Sequence, residues 1–248
     1  MSSVARRLAF AFAFLTRLPL DGSAAGDVDV GRSVAFFPVV GLALGALLAA
    51  CAAVLAGHLP ASVIAVLLAV LLAALTGGLH LDGVADTFDA LGAPGADRAR
   101  RLEILRDSRI GAHGATALVL LVLLKATALL AAVASGLAGA LLAFPAVGRC
   151  IAVLAIVLFP YARERGLGAA FRTHARARDA IAASACTVAA LVLLGGGPAA
   201  AAALAAAGLT LVFVRHVAAR LGGVTGDVCG AAVELGETAF LVLYLAAS

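Results

Sequence analysis

Long apolar segments that carry no charge are the feature that most limits the folds open to this chain. Residues 62–79 contain no Asp, Glu, Lys or Arg, and about 20 apolar residues are enough for a helix that crosses a bilayer. The whole chain is 64% hydrophobic and only 13% charged, against roughly 25% charged residues in a typical soluble domain. We therefore expect an all-α, polytopic membrane helical bundle, formed by a single integral-membrane catalytic domain over residues 1–248.

Seven segments are apolar enough to cross a membrane, which predicts six to seven transmembrane helices. The last is the weakest of them, because it contains Glu234 and Glu237 and carboxylates are costly inside a bilayer. The segments are residues 34–57, 61–79, 115–134, 137–160, 180–194, 199–214 and 230–247.

The N-terminal segment is shorter. Arg6 and Arg7 precede LAFAFAFL, an order typical of a signal peptide, but no small-residue cleavage site follows. We expect residues 4–18 to form an amphipathic, interfacial helix that stays on the mature protein.

Arginines are concentrated in two connections, residues 80–114 and 161–179, whereas residues 57–60, 135–136 and 195–198 carry no charge. The positive-inside rule puts the charged loops and the N-terminus in the cytoplasm. It also explains the basic charge without a nucleic-acid partner. The four cysteines form no CxxC pair, so neither a zinc site nor a disulfide framework is indicated. The loop arginines are Arg98, Arg100, Arg101, Arg106 and Arg109, and Arg163, Arg165, Arg172, Arg176 and Arg178.

Three aspartates follow the second apolar segment in HLDGVADTFDALG, residues 80–92. Asp82, Asp86 and Asp89 lie at i, i+4 and i+7, so a helix would present all three carboxylates on one face. Their mutual repulsion at a membrane surface is relieved by a bound cation, and oxygen ligands favour Mg²⁺, Ca²⁺ or Mn²⁺. The pattern predicts a metal site, in which Asp82 and Asp86 are also the candidate catalytic carboxylates.

The segment LRDSRIGAHG, residues 105–114, offers groups that suit a phosphate. Arg106 and Arg109, which flank Asp107, can bind phosphate oxygens through two N–H groups each. The glycines of the segment would allow a phosphate to approach the backbone. His113 is a candidate general base or hydrogen-bond donor. We expect Arg98, Arg100 and Arg101 to be ordinary charges of a surface turn.

A third element is GGVTGDVCGAAVELGE, residues 222–237. Its glycine-rich start, including Gly226, would let a substrate come close to the backbone. Thr225, Asp227 and Glu234 can complete the metal shell, because Asp227 and Glu234 share a helical face at i, i+7.

Two cations lie inside apolar segments, where an ionisable residue is a functional candidate by default. For Arg149, a substrate-binding role and a structural pairing with a carboxylate such as Glu234 both stay open. Lys125 is expected to pair with another group or to line the bundle interior.

Together these elements suit transfer of a phosphoryl-linked group. The chain also resembles the cobalamin synthase family, the adenosylcobinamide-GDP ribazoletransferases, through blocks in the same order along nearly the whole sequence. The blocks are FLTRLPL (residues 14–20), GGLHLDGVADTFDALG (77–92), RDSRIGAHG (106–114), FPYAR near Phe159, and GGVTGDVCGA (222–231).

The resemblance implies a Mg²⁺-dependent enzyme of the bacterial cytoplasmic (inner) membrane. It would join adenosylcobinamide-GDP to alpha-ribazole or alpha-ribazole 5′-phosphate, with release of GMP. A homo-oligomer, or association with other cobalamin-assembly enzymes, stays open.

Two other classes of membrane protein share part of this pattern. A CDP-alcohol phosphotransferase of phospholipid synthesis has a distantly similar acidic pattern, but it requires two further aspartates at wider spacing, which this chain lacks. A membrane transporter predicts inverted repeats and charges at the bilayer midplane. Only Lys125 and Arg149 favour that reading.

Overall fold

A computed structural model describes residues 2–22, 25–163 and 167–247, and Arg165 lies outside them. Over the described residues the secondary structure is helical, with no β-strand, which confirms the predicted fold class. The helices are α1 (Ser3–Leu15), α2 (Asp27–Arg32), α3 (Phe37–Leu55), α4 (Ala61–Thr76), α5 (Leu79–Gly92), α6 (Arg98–Ile104), α7 (Ala112–Ala134), α8 (Ala138–Leu158), α9 (Leu167–His174), α10 (Ala177–Leu221) and α11 (Gly226–Ala247). A 3₁₀ turn, Ser33–Phe36, joins α2 to α3.

Five helical segments of the described chain are long and apolar enough to cross a membrane. They are Asp27–Leu55, α7, α8, α10 and α11, and the bent pair formed by α4 and α5 makes a sixth.

The longest helix, α10, is long enough to cross a membrane twice. Its 45 residues would extend about 67 Å if straight, roughly twice the thickness of a bilayer core. The helix breaks at Gly196, which has φ 64° and ψ −154°. Its two ends contact charged residues near the N-terminus and in the loop at 80–114. Asp179 Oδ1 lies 3.7 Å from Arg32 Nε of α2, and the Leu221 carbonyl accepts a hydrogen bond from Arg98 Nε. The predicted fifth and sixth spans are therefore the two halves of α10.

Helices α4 and α5 meet at 90°. Gly77 and Gly78 make this bend, both with positive φ, a conformation that ends a helix at little cost only for glycine. The second span thus ends at Thr76 rather than at residue 79. Helix α5 then lies across the first turns of α7 and α11, because the backbone of α5 touches Gly114 and Gly83 packs on the Asp227 carbonyl. Helix α4 carries the apolar length of this bent pair, and α5, with its three aspartates, lies at the end of the bundle beyond it.

Helix α8 is the centre of the bundle, with 15 of its 21 residues buried. It packs against α3, α10 and α11. Gly41 and Gly45 of α3 contact the α8 backbone so closely that a Cβ at either position would collide with it. Small residues at helix crossings are a common way to bring helices together inside a membrane.

The N-terminal helix α1 is too short to span and packs beside α2 and α9. Arg6 and Arg7 each donate a 2.8 Å hydrogen bond to Asp29. Phe10 and Phe14 pack their rings on Phe171 of α9. The short helix predicted for residues 4–18 is thus present as Ser3–Leu15.

Candidate functional site

A broad cavity of about 850 Å³ lies beside α5 at one end of the bundle. Asp82 and Asp86 of α5 line it together with Asp227 of α11. The close crossing of the two helices brings these carboxylates together, because Gly83 packs on the α11 backbone without a side chain in between. We call this space the polar cavity; its charged lining residues are Asp82, Asp86, Asp107, Asp227, Arg17, Arg106 and Arg109.

The carboxylates of the polar cavity repel one another. Burial, followed by the charges of Asp82, Asp227 and Asp89, raises the pKa of Asp86 to about 7, and the nearby Arg163 only partly opposes this shift. A carboxylate with such a pKa lacks a compensating positive charge. The donor set therefore suits a hard divalent cation such as Mg²⁺.

Asp89 faces away from its two neighbours toward the start of α7. Its carboxylate accepts hydrogen bonds from the backbone N–H of Gly111 (2.7 Å) and Gly114 (2.8 Å). A Cβ at either glycine would collide with this carboxylate, so these glycines admit Asp89 to the helix N-terminus. Within residues 2–22, 25–163 and 167–247, no three His, Cys, Asp or Glu side chains stand together as a metal-binding group. The metal roles predicted for Asp82, Asp86, Asp89 and Asp227 therefore all stay predictions.

Asp227 is held by two donors. Thr225 Oγ1 donates at 3.1 Å and Arg163 Nη2 at 3.0 Å to the same oxygen, Oδ2. Backbone hydrogen bonds join the segment before α11 to the segment after α8, from Val224 N to the Pro160 carbonyl and from Ala162 N to the Val224 carbonyl. From the sequence, Arg163 is predicted to be a topology charge, although it belongs to the FPYAR block.

Three arginines line the polar cavity. Arg106 and Arg109, both predicted, are exposed, and Arg17, which was not predicted, lies in the FLTRLPL block. Arg109 makes a two-pronged ion pair with Asp107, with Nε to Oδ1 at 2.9 Å and Nη2 to Oδ2 at 2.7 Å. These hydrogen bonds lower the pKa of Asp107 to about 2.

The prediction of ordinary surface charges holds for Arg100 but is wrong for Arg98 and Arg101. Arg100 pairs with the exposed Glu103 at 2.7 Å. Arg98 instead donates to the last carbonyl of α10, that of Leu221, at 2.8 Å. Arg101 donates to the carbonyls of residues 90, 91, 93 and 96 at and beyond the end of α5. Cations suit helix C-termini because the last carbonyls there lack partners.

His113 is exposed at the start of α7 and packs on Gly92. It lines neither the polar cavity nor the apolar cavity described below. Its predicted role as a general base stays a prediction, and its position gives no geometric support for that role.

A buried ionic cluster lies deeper between α7, α8 and α11. Lys125 Nζ donates to Glu234 Oε2 (2.7 Å) and also to Glu237, and Arg149 Nη1 donates to Glu237 Oε1 (2.6 Å). Arg149 therefore pairs with Glu237 and not, as the sequence analysis considered, with Glu234. Glu234, predicted as a metal ligand, is only 5% exposed and engages Lys125. The cluster contains two cations and two carboxylates, so formal charge is balanced.

A second cavity, of about 290 Å³, adjoins the polar cavity. We call it the apolar cavity because carbon atoms make most of its lining. The two cavities share Asp82 and Asp227, so these carboxylates, with Gly226 nearby, stand at the junction between them. The apolar cavity is lined by Phe14, Phe37, Phe171, Ala152, Ile156 and Arg149, among others.

This arrangement defines a polytopic helical membrane protein whose carboxylates and arginines face a common cavity at one end of the bundle. The chain belongs to the cobalamin-5-phosphate synthase family, whose model matches residues 7–245. Similar curated proteins carry the name adenosylcobinamide-GDP ribazoletransferase.

The relative from Acetivibrio thermocellus is 37% identical, covering 96% of this chain and 97% of its own. The relative from Pseudomonas entomophila is 42% identical, covering 94% and 95%. The one from Klebsiella pneumoniae strain 342 is 40% identical, covering 95% and 97%. No solved structure matches the chain.

Proposed function

We propose that this chain joins adenosylcobinamide-GDP to alpha-ribazole, or to alpha-ribazole 5′-phosphate, and releases GMP. Family membership and the shared name of its relatives make it a transferase of cobalamin synthesis. The observation that carries the finer proposal is the polar cavity, where carboxylates and arginines line one space of about 850 Å³. Such a space suits a diphosphate held between a cation and guanidinium groups.

Mg²⁺ is the proposed cofactor, and Asp82, Asp86 and Asp227 are the residues that would hold it. The proposal rests on the three carboxylates that line one cavity, and on the raised pKa of Asp86, to which burial contributes most and the charges of Asp82 and Asp227 contribute next. When bound, the ion would neutralise charge on the diphosphate oxygens.

The other side chains of the polar cavity have separate proposed roles in binding phosphate and in accepting a proton. Arg17, Arg106 and Arg109 line the polar cavity, and their guanidinium groups would bind phosphate oxygens there. A ribose hydroxyl of alpha-ribazole forms the new P–O bond to the phosphate attached to cobinamide, and the P–O bond to GMP breaks. The hydroxyl proton passes to a carboxylate at the junction. Asp82, which stands at the junction, is the proposed acceptor, and Asp86 in the polar cavity is the alternative.

We further propose that the polar cavity opens to the cytoplasm of a bacterial inner membrane, where the positive-inside rule places the arginine-rich loops. In a background without native cysteines, Ser108→Cys should react with a membrane-impermeant thiol reagent only after cells are opened. His58 lies in the loop that joins α3 to α4, at the other end of these helices. His58→Cys should therefore react in intact cells. Both residues are exposed. The reverse pattern would invert the orientation.

The test of the function is transfer by purified protein in lipid nanodiscs. Adenosylcobinamide-GDP should react with alpha-ribazole, and in a separate assay with its 5′-phosphate. Each reaction should release one GMP for each cobalamin product formed. Chelation of Mg²⁺ should stop both reactions. The proposal would be wrong if neither ribazole form gave a product. If the protein then converted a CDP-alcohol and a second alcohol instead, it would be a phospholipid synthase.

A further inference from the structure

We propose that the apolar cavity is the seat of the flat aromatic base of the nucleoside acceptor, with Arg149 donating a hydrogen bond to the base. The inference rests on the proposed function, in which alpha-ribazole, a dimethylbenzimidazole ribonucleoside, is the acceptor. It adds which cavity the acceptor enters and which residue recognises it.

The first observation is an unpaired donor. Arg149 is fully buried, and only its Nη1 is hydrogen-bonded, to Glu237 and to the Pro145 carbonyl. Its Nε and Nη2 are buried without a partner, and Arg149 lines the apolar cavity. A buried N–H without an acceptor costs about 1–3 kcal/mol. The side chain is held in place by the ionic cluster, so a ligand that brings an acceptor into the cavity can meet these N–H groups.

The second observation is the shape and chemistry of the walls. Phe14, Phe37 and Phe171 form a cluster with ring centroids 5.1 to 6.0 Å apart, and all three line the cavity. Ala152 and Ile156 of α8 add apolar wall. Aromatic side chains of this kind commonly stack on planar bases. The volume of about 290 Å³ accommodates a two-ring base and is far too small for a corrin ring.

Three other occupants fit less well. A lipid chain offers no acceptor for Arg149. A diphosphate would lose much of its water in a lining that is mostly carbon, which is costly for a charged group, and it would meet the like charges of Asp82 and Asp227. Guanine carries several donors of its own that need acceptors, whereas dimethylbenzimidazole carries one free ring nitrogen and an otherwise apolar surface. Among the described lining residues, the buried N–H groups without a partner belong to Arg149 and Arg163, and a base with one acceptor nitrogen and an apolar surface suits such a lining.

The junction between the two cavities would bring the acceptor close to the diphosphate. A base in the apolar cavity puts its attached ribose toward Asp82 and Asp227, which both cavities share. The ribose hydroxyl would then meet the diphosphate in the polar cavity, beside the carboxylates proposed to hold Mg²⁺.

The test measures binding without turnover. The chain contains no tryptophan, so the fluorescence of the benzimidazole can be followed as alpha-ribazole is titrated into protein in nanodiscs without the cobinamide substrate. GMP binding is measured in parallel by calorimetry. Arg149→Lys keeps a cation for Glu237 but loses the free guanidinium N–H groups. Ala152→Leu fills the cavity and leaves the ionic cluster intact. Ala155→Leu is the matched control, since Ala155 lies on the same helix, is buried, and does not line the cavity.

We expect Arg149→Lys and Ala152→Leu each to raise the Kd for alpha-ribazole about tenfold or more, with GMP binding unchanged and Ala155→Leu close to wild type. If Arg149→Lys does not fold, Ala152→Leu decides alone. Wild-type affinity for alpha-ribazole in the folded variants overturns the inference, as does a selective loss of GMP binding, which would assign the cavity to guanine. If the wild-type protein neither binds nor transfers alpha-ribazole, the proposed function itself fails.

Discussion

Arg163 donates a 3.0 Å hydrogen bond to Asp227, 64 residues further along the chain. The same Nη2 also donates to the Leu105 carbonyl at 3.1 Å. One guanidinium thus ties the segment before α9, the loop before α7 and the first turn of α11 together beside the polar cavity.

We expect Arg163→Gln to lower kcat about 10- to 100-fold, because a charge-assisted hydrogen bond contributes roughly 1.5–3 kcal/mol and here positions Asp227. The Mg²⁺ concentration for half-maximal rate should not rise, since removal of a cation favours metal binding at the neighbouring carboxylates. Nanodisc kinetics across a Mg²⁺ series provide the measurement. Arg178→Gln, an exposed arginine outside the site, is the control. Equal rates in Arg163→Gln and wild type would remove this residue from the site.

We expect Asp82 and Asp86 to be needed for turnover, and Asp89 to be needed for thermal stability. Asp82→Asn and Asp86→Asn should nearly abolish turnover with little loss of thermal stability, because each removes a proposed metal ligand. Asp89→Asn should lower the Tm instead, since capping carboxylates contribute about 1 kcal/mol, up to about 2, to a helix N-terminus.

The measurement pairs thermal unfolding with a Mg²⁺ titration of activity for all three variants. A large rise in the Mg²⁺ requirement of Asp89→Asn, with an unchanged Tm, would show that Asp89 is a metal ligand, as the sequence predicted.

Arg109 and Arg100 form a matched pair, because both are exposed and each contacts one carboxylate. Only Arg109 lines the polar cavity. Arg109→Lys should lose about tenfold or more in activity, since an ammonium cannot reproduce the planar fork, whereas Arg100→Lys should be nearly silent. Steady-state kinetics with varied adenosylcobinamide-GDP would reveal the difference. Similar losses at both positions would mean that charge alone matters.

Asp86 should make the Mg²⁺-free protein sensitive to pH. Its pKa is about 7 in the folded state and near 3.8 in an unfolded chain. Between these values the folded state holds a proton that the unfolded state has released, so stability falls as pH rises from about 4 to 7 and then levels off. Thermal unfolding without Mg²⁺ should follow this trend. Asp86→Asn should flatten it, and added Mg²⁺ should raise the Tm more at pH 8 than at pH 5. A pH-independent difference between wild type and Asp86→Asn would contradict this account.

The sequence was sufficient to predict the features that depend only on residues close together in the chain. Uncharged apolar length identified the spans, and aspartate spacing identified the helical face of Asp82 and Asp86. Contacts between distant segments were not readable in the same way. The Asp227–Arg163 pair, the capping of α5 by Arg101, and the choice of Glu237 over Glu234 by Arg149 all depend on how helices cross. Arg17 enters the polar cavity for the same reason, because its neighbour Gly77 bends the chain there.

The buried ionic cluster should behave as one unit. Lys125→Met would leave Glu234 and Glu237 with one cation between them, and breaking a buried pair from one side costs about 3–5 kcal/mol. The double variant Lys125→Met/Glu234→Gln removes one charge of each sign, leaves Arg149 with Glu237, and should regain part of that loss. Leu123→Met is the control, since Leu123 lies on the same helix and is 59% exposed; a substitution of this kind usually changes stability by less than about 0.5 kcal/mol.

Thermal unfolding of the wild type, Lys125→Met, Glu234→Gln and the double variant in nanodiscs gives the coupling between Lys125 and Glu234. A double variant no more stable than Lys125→Met would mean that Glu234 is not the partner that balances this lysine, and that the 2.7 Å contact between them adds nothing to stability. Transfer activity measured on the same samples separates the roles further. Because the cluster holds Arg149 through Glu237 and not through Glu234, the double variant should keep its affinity for alpha-ribazole even where its Tm is lowered.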